Sequence, residues 1–263
     1  MEVTTSGVPD PERGRCSIRV ATAGDIHCGR QSSCDHLRGA VADLAERVDL
    51  FLLAGDLTTH GEPEQGAILA DAFRDVEVPV LTVLGNHDWH ANRRDELVAV
   101  LEEGGLTVLD REHRILEING VDVGVVGVKG FVGGFPGSHI PDFGEPLLRQ
   151  VYAESMAEAA AIDEGLRAVA ACPLRIVLLH YAPTTETLVG ERESIWAFLG
   201  TDRLAVPIVE HEPDLVLHGH AHTGTFRGKV GNVPVFNVSV PVLGRDFWEL
   251  ELTVSERAPS AIH

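Results

Sequence analysis

Gly85-Asn86-His87-Asp88 is the stretch where chemistry and position coincide most clearly. Asn86 offers a neutral amide oxygen to a metal. His87 carries an imidazole whose ordinary pKa lies near neutrality, suited to proton transfer. The tetrapeptide follows Val80-Leu81-Thr82-Val83-Leu84, a short β-branched and apolar run that predicts a buried strand. Open α/β sheets present their ligands at the carboxyl ends of strands. Alone, such a tetrapeptide is no more than a polar turn after a strand. It gains meaning because the pattern recurs.

Ile18-Arg19-Val20-Ala21-Thr22-Ala23 is strand-like and runs into Gly24-Asp25-Ile26-His27. Leu50-Phe51-Leu52-Leu53-Ala54 runs into Gly55-Asp56, and Leu174 to Leu179 runs into His180. Leu215-Val216-Leu217-His218 runs into Gly219-His220-Ala221-His222. Five apolar runs therefore each end in Asp, Asn or His. Turn chemistry accounts for one or two such endings, not five.

The blocks Asp-x-His, Gly-Asp, Gly-Asn-His-Asp, a lone His and Gly-His-x-His, in this order, resemble those of the calcineurin-like metallophosphoesterases. The resemblance runs from Asp25 to His222. It implies a four-layer α/β/β/α sandwich of two mixed sheets. It also implies two divalent transition metals, Mn, Fe, Zn or Co. The first would be held by Asp25, His27, Asp56 and His222, the second by Asp56, Asn86, His180 and His220, with Asp56 shared. The donor types fit that implication, since carboxylate and amide oxygens mixed with imidazoles suit these metals better than thiolate-preferring ones. Such a pair can hold a hydroxide for in-line attack on phosphorus. His87, outside both ligand sets, would protonate the leaving oxygen or stabilise its charge. Asp88 would support the site from behind.

Subfamilies differ from this text. Phosphoprotein phosphatases carry Gly-Asp-x-x-Asp-Arg-Gly and Gly-Asn-His-Glu, where this chain has Gly55-Asp56-Leu57-Thr58-Thr59-His60-Gly61 and Asp88. Purple acid phosphatases place a tyrosine where Thr59 stands. The resemblance is to the broad bacterial-type group of phosphodiesterases and general phosphoesterases. A small-molecule or nucleotide phosphodiester or monoester is the implied substrate.

The other histidines have plainer readings. His218 reads as a satisfied core residue. His60 and His90 lie on loops beside the motifs, as substrate contacts or as surface residues. His36, His113, His139, His211 and His263 show no partner. Arg30 and Lys129 read as solvated charges, with phosphate contact as the alternative.

Between the blocks, apolar residues at helical spacing predict helices over residues 35–48, 63–75, 95–103, 147–170 and 201–210. Asn119-Gly120 predicts a hairpin between residues 114–118 and 121–126. Runs at 226–230, 233–239 and 247–252 predict antiparallel strands of a second sheet. Residues 129–145 are rich in glycine and proline and predict a long loop that borders the metal cleft and shapes substrate choice.

Composition bounds the rest. The 263 residues carry 44% hydrophobic and 23% charged residues, ordinary for one packed domain, expected over 17–255 with a leader at 1–16 and a tail at 256–263. No apolar run approaches the ~18 residues of a membrane span. The first residues lack the apolar segment of a signal peptide. The four cysteines show no CxxC spacing, so the sequence suggests no disulfide framework and a reducing cytoplasm as the setting. The net charge of −19 argues against a nucleic-acid groove, and so against a nuclease. A non-catalytic metal-binding scaffold is the other alternative; it would be expected to have lost ligands, and none is missing.

Overall fold

The computed structural model describes residues 16–29 and 34–254. The expected leader up to residue 15, Arg30, His263 and the expected tail lie outside the described residues. Eleven strands occur among those described: β1 (Cys16–Ala23), β2 (Leu50–Ala54), β3 (Val80–Val83), β4 (Thr107–Val108), β5 (Glu112–Ile118), β6 (Val121–Gly127), β7 (Leu174–Leu178), β8 (Leu215–His218), β9 (Arg227–Val230), β10 (Val233–Asn237) and β11 (Trp248–Val254). The α-helices are α1 (Asp35–Val41), α2 (Leu44–Arg47), α3 (Pro63–Phe73), α4 (Arg94–Glu103), α5 (Pro146–Ala168), α6 (Trp196–Leu199), α7 (Ala205–His211) and α8 (Val240–Leu243). The helix expected over 35–48 is interrupted between α1 and α2.

The strands form two sheets, in the orders β11-β1-β2-β3-β4 and β5-β6-β7-β8-β10-β9. Strands β1, β2 and β3 run parallel, as do β6, β7 and β8. Both mixed sheets carry antiparallel edges, β11 on β1 in one and the β5–β6 hairpin and β9 in the other.

Alternation along the strands builds the layers. Ile18, Val20, Leu50, Leu52, Leu81 and Val83 meet Val123, Val125, Ile176, Leu178, Leu215 and Leu217 in a core between the sheets. The opposite faces, Ala21, Phe51 and Leu53, pack on Leu37 of α1, Leu69 of α3 and Leu97 of α4. On the far side Val126, Val177 and Val216 pack on Ile162 and Leu166 of α5 and Ile208 of α7. The result is the expected α/β/β/α sandwich. Strand β2 is buried along its whole length because both its faces are covered. Each large side chain so enclosed contributes about 1.5–3 kcal/mol.

Two expectations are corrected. The run near Trp248 does not join the second sheet; β11 pairs antiparallel with β1 at the edge of the first, Trp248 opposite Thr22. β10 lies parallel to β8, so of these three runs only β9 and β10 pair antiparallel with each other in the second sheet. The cysteines are the second correction. Cys28 and Cys34 form a disulfide with Cα atoms 5.8 Å apart, and Cys16 and Cys172 are free.

Candidate metal centre

All five ligand-bearing segments leave the carboxyl ends of parallel strands, so the two sheets open onto one edge. Backbone hydrogen bonds join the first two loops. The Asp25 amide donates to the Gly55 carbonyl at 2.9 Å, and the His27 amide to the Asp56 carbonyl at 3.0 Å. His180 ties the second sheet to the first, its Nδ1 lying 2.8 Å from the Ala54 carbonyl at the end of β2.

The loops are tightly folded. Asp25, His27, Asp56 and His220 all have positive φ, between 49° and 70°. Non-glycine residues in that region cost energy and persist where the surroundings hold them. Four such residues at one strand edge mark a built site. Gly85 is glycine for a related reason: a Cβ there would collide with the carboxylate and amide of Asp56. At Gly219 a Cβ would collide with Oδ2 of Asp25.

Seven residues expected as ligands converge. Potential ligand atoms of Asp25, His27 and His222 lie within 4.8 Å of one another, as do those of Asp56, His180 and His220. Asn86 adjoins the second group, with Oδ1 2.9 Å from His180 Nε2. Asp56 faces both groups. Its Oδ1 lies 3.3 Å from His180 Nε2 and its Oδ2 3.8 Å from His27 Nε2. Backbone amides hold the two carboxylates: His87 N–H donates to Asp56 Oδ1 and His220 N–H to Asp25 Oδ2, both at 2.8 Å.

Burial sets the protonation states. It lowers the pKa of His180 and of His220 to about 3 and lowers that of His27, so these imidazoles stay neutral with a lone pair to offer. Burial raises Asp25 to about 6, opposed by the hydrogen bond from His222, whose pKa that same bond raises. Two buried carboxylates, a side-chain amide and neutral imidazoles make a donor set that fits two borderline divalent cations.

His87 lies outside these two groups but beside them. Its Nδ1 is 2.9 Å from the Thr59 carbonyl, an arrangement in which Nδ1–H donates, leaving Nε2 3.9 Å from Asp56 Oδ2. Its ring also stands 4.6 Å from that of His27, in a third cluster of His27, Asp56 and His87. Asp88 is fully buried and accepts four hydrogen bonds, from the amides of Leu57, Thr58 and Gly85 and from the Thr58 hydroxyl.

His218 is a core residue as expected, buried between the Thr187 hydroxyl and the Gly219 carbonyl, each at 2.8 Å. His90 stacks near His87 at 4.5 Å and His60 near His90 at 6.5 Å, so both border the site. Three remote histidines do have partners. His36 pairs with Asp246, His139 with Asp202 and His211 with Asp163. Lys129 is not a solvated charge. It is 9% exposed, with its Nζ 4.4 Å from the Phe131 ring centroid, 5.5 Å from Tyr181 and 5.9 Å from Trp89.

Sequence reasoning passed over Thr58, Trp89 and Tyr181. Their proximity to motif residues is a signal, and Tyr181 is one of only two tyrosines in the chain. The glycine-rich segment after Lys129 packs on the segment that holds His220. Gly133 and Gly134 donate to the carbonyls of Ala197 and Gly200, and the Phe198 carbonyl lies 3.2 Å from His220 Nε2.

Known proteins share this fold. The sequence model of the calcineurin-like phosphoesterase family matches residues 18–224. The phosphopantetheinyl hydrolase PptH of Mycobacterium tuberculosis superposes with a TM-score of 0.65 at 16% identity, over 93% of this chain and 98% of that one. TT1561 of Thermus thermophilus superposes with a TM-score of 0.58 at 18% identity, over 92% of this chain and 100% of that one. Both likenesses are of fold. With the family match spanning every ligand-bearing strand end, the chain belongs to the calcineurin-like phosphoesterase family.

Proposed function

We propose that this protein hydrolyses a small phosphorylated ester, a monoester or diester, at two divalent transition metals. Asp25, His27, Asp56 and His222 would hold one, and Asp56, Asn86, His180 and His220 the other. The observation that carries this reading is the placement of Asp56. Its two oxygens face different groups of imidazoles, Oδ1 toward His180 and Oδ2 toward His27. Mn, Fe, Zn and Co all suit the donors. Bound there, the metals would supply Lewis-acid polarisation of the phosphoryl group and a lowered pKa for water.

The chain's own residues do the remaining work. With two divalent cations bound, neutral His180 and His220 and the two carboxylates would leave the centre with a positive balance that would draw in an anionic ester. Hydrogen bonds from His87 N–H and His220 N–H aim the two carboxylates. With Nδ1–H donated to Thr59, His87 exchanges its other proton at Nε2, and it is this proton that would pass to the leaving oxygen.

No helix among the described residues is long and apolar enough to cross a membrane. A cytoplasmic setting belongs to the proposal, with the Cys28–Cys34 disulfide weighing against a strictly reducing one.

The test combines elemental analysis with a substrate screen. Protein purified without chelator should carry up to two transition metals per chain. It should release product from alkyl phosphates, from a phosphodiester such as bis(4-nitrophenyl) phosphate, or from cyclic nucleotides. Asp56→Asn should lose both metals. Full activity with no bound or added metal would refute the reading.

A further inference from the structure

Between the turn that carries His87 and the strand end that carries His180 lie two polar groups that the proposed hydrolysis does not use. Lys129 is one of the chain's two lysines. Its ammonium is enclosed by the rings of Trp89, Phe131 and Tyr181. Its single hydrogen bond among the described residues goes to the Gly130 carbonyl at 3.1 Å. Among the described residues it joins no ion pair. Glu158, whose negative charge acts on it, is engaged by Arg111 and by the Gly130 amide.

Tyr181 is 5% exposed and continues this box toward the metal centre. Its ring stands 4.5 Å from that of His220 and 5.4 Å from that of His180. Its hydroxyl has no hydrogen bond among the described residues. Aromatic faces can hold an ammonium, but they take up none of the hydrogen bonds left over. Two N–H groups of Lys129 and the hydroxyl of Tyr181 are therefore unspent; the Tyr181 ring is buried while its hydroxyl reaches solvent. An enclosed ammonium normally has acceptors for its remaining N–H groups. An anion would supply acceptors to both groups and offset the enclosed positive charge.

We propose that Lys129 and Tyr181 form a second anion subsite beside His180 and His220, which takes a further phosphate or carboxylate of the substrate, with Trp89 as its outer wall. The favoured substrate is then a phosphoester whose organic part carries another anionic group. This rests on the phosphoester reading above and adds the substrate class.

The experiment uses manganese-loaded protein and three matched esters: propyl phosphate, propane-1,3-diyl bisphosphate and 3-carboxypropyl phosphate. At least one dianionic-chain ester should exceed propyl phosphate in kcat/KM by about tenfold to a hundredfold, the worth of a charged hydrogen bond. Which of the two leads tells phosphate from carboxylate. Lys129→Met should remove the preference while leaving propyl phosphate hydrolysis within a few-fold of wild type, and Tyr181→Phe should reduce it. In metal-free protein, methylenebisphosphonate should quench tryptophan emission, and Trp89→Phe and Lys129→Met should each abolish the response.

Equal kcat/KM for all three esters in the wild type would overturn the subsite. So would a Lys129→Met protein that slows every ester alike. If Lys129→Met does not fold by circular dichroism, Tyr181→Phe decides, and an unchanged preference there overturns the proposal. Hydrolysis of no ester at all would count against the phosphoester reading, and the fluorescence titration would then judge the subsite on its own.

Discussion

Asp88 accepts two hydrogen bonds from Thr58, from its amide at 2.8 Å and its hydroxyl at 2.7 Å. Its other oxygen accepts from the amides of Gly85 and Leu57. One buried carboxylate thereby fastens the loop after Asp56 to the turn that presents Asn86 and His87. Asp88→Asn places an N–H₂ group where only acceptors fit. The variant should lose about 2–4 kcal/mol of unfolding free energy, read by urea denaturation. Its metal affinity should fall about 10–100-fold, read by titration against a chelator. Wild-type metal affinity in the variant would show that the clamp is not needed for the centre.

His87 tests the mechanism. Asn86 and His87 are neighbours whose side chains part: Asn86 Oδ1 turns to His180 while His87 Nδ1 is anchored on Thr59. His87→Asn should keep both metals. It should slow an alkyl phosphoester by about 10²–10⁴ and a nitrophenyl ester far less, because nitrophenolate leaves without a proton. Equal slowing of both would assign His87 to phosphoryl charge stabilisation. Lost metal, measured on the same sample, would make it a ligand, as its proximity to His27 and Asp56 allows.

The segment 129–145 should govern substrate choice. It contributes Phe131 to the wall around Lys129 and packs on Ala197 and Gly200, next to the segment holding His220. Its far part, from Pro141 to Glu145, is exposed. Deleting residues 141–144 should alter relative rates among esters while metal content stays constant. Unchanged rates for every substrate would mark the loop as inert surface.

Acid should weaken the metal-free fold in a window set by buried histidines. His218 is enclosed, and burial lowers its pKa from 6.5 to about 4. The unfolded chain therefore binds more protons between those values, and stability is lost as pH falls through them. The unfolding free energy of wild type minus that of His218→Gln should shrink by about 2 kcal/mol between pH 7 and pH 5. Parallel pH curves for the two proteins would contradict this.

What the sequence alone determined is largely local. Short runs such as Leu50–Ala54 end in glycine and then a ligand type, and a strand's direction carries that ending to the edge of its sheet. Asn119-Gly120 closes the β5–β6 hairpin by the same kind of nearest-neighbour constraint. The order of the blocks then carried the family and the sandwich. Tertiary structure decided matters that depend on distant partners. The alternating burial of Trp248–Val254 states that the strand has one covered face, but not which sheet edge is vacant to receive it. The charge on Lys129 reads as solvated until Trp89, Phe131 and Tyr181 arrive from three separate segments. The pairing of Cys28 with Cys34, Cα atoms 5.8 Å apart, likewise shows only in three dimensions. The placement of Asp56 between two groups of imidazoles depends on His180 docking against Ala54 across the sheets. Strand ends follow from backbone propensity and side-chain period, which act over a few residues. Enclosure and bridging require surfaces brought together by the packing of the whole sandwich.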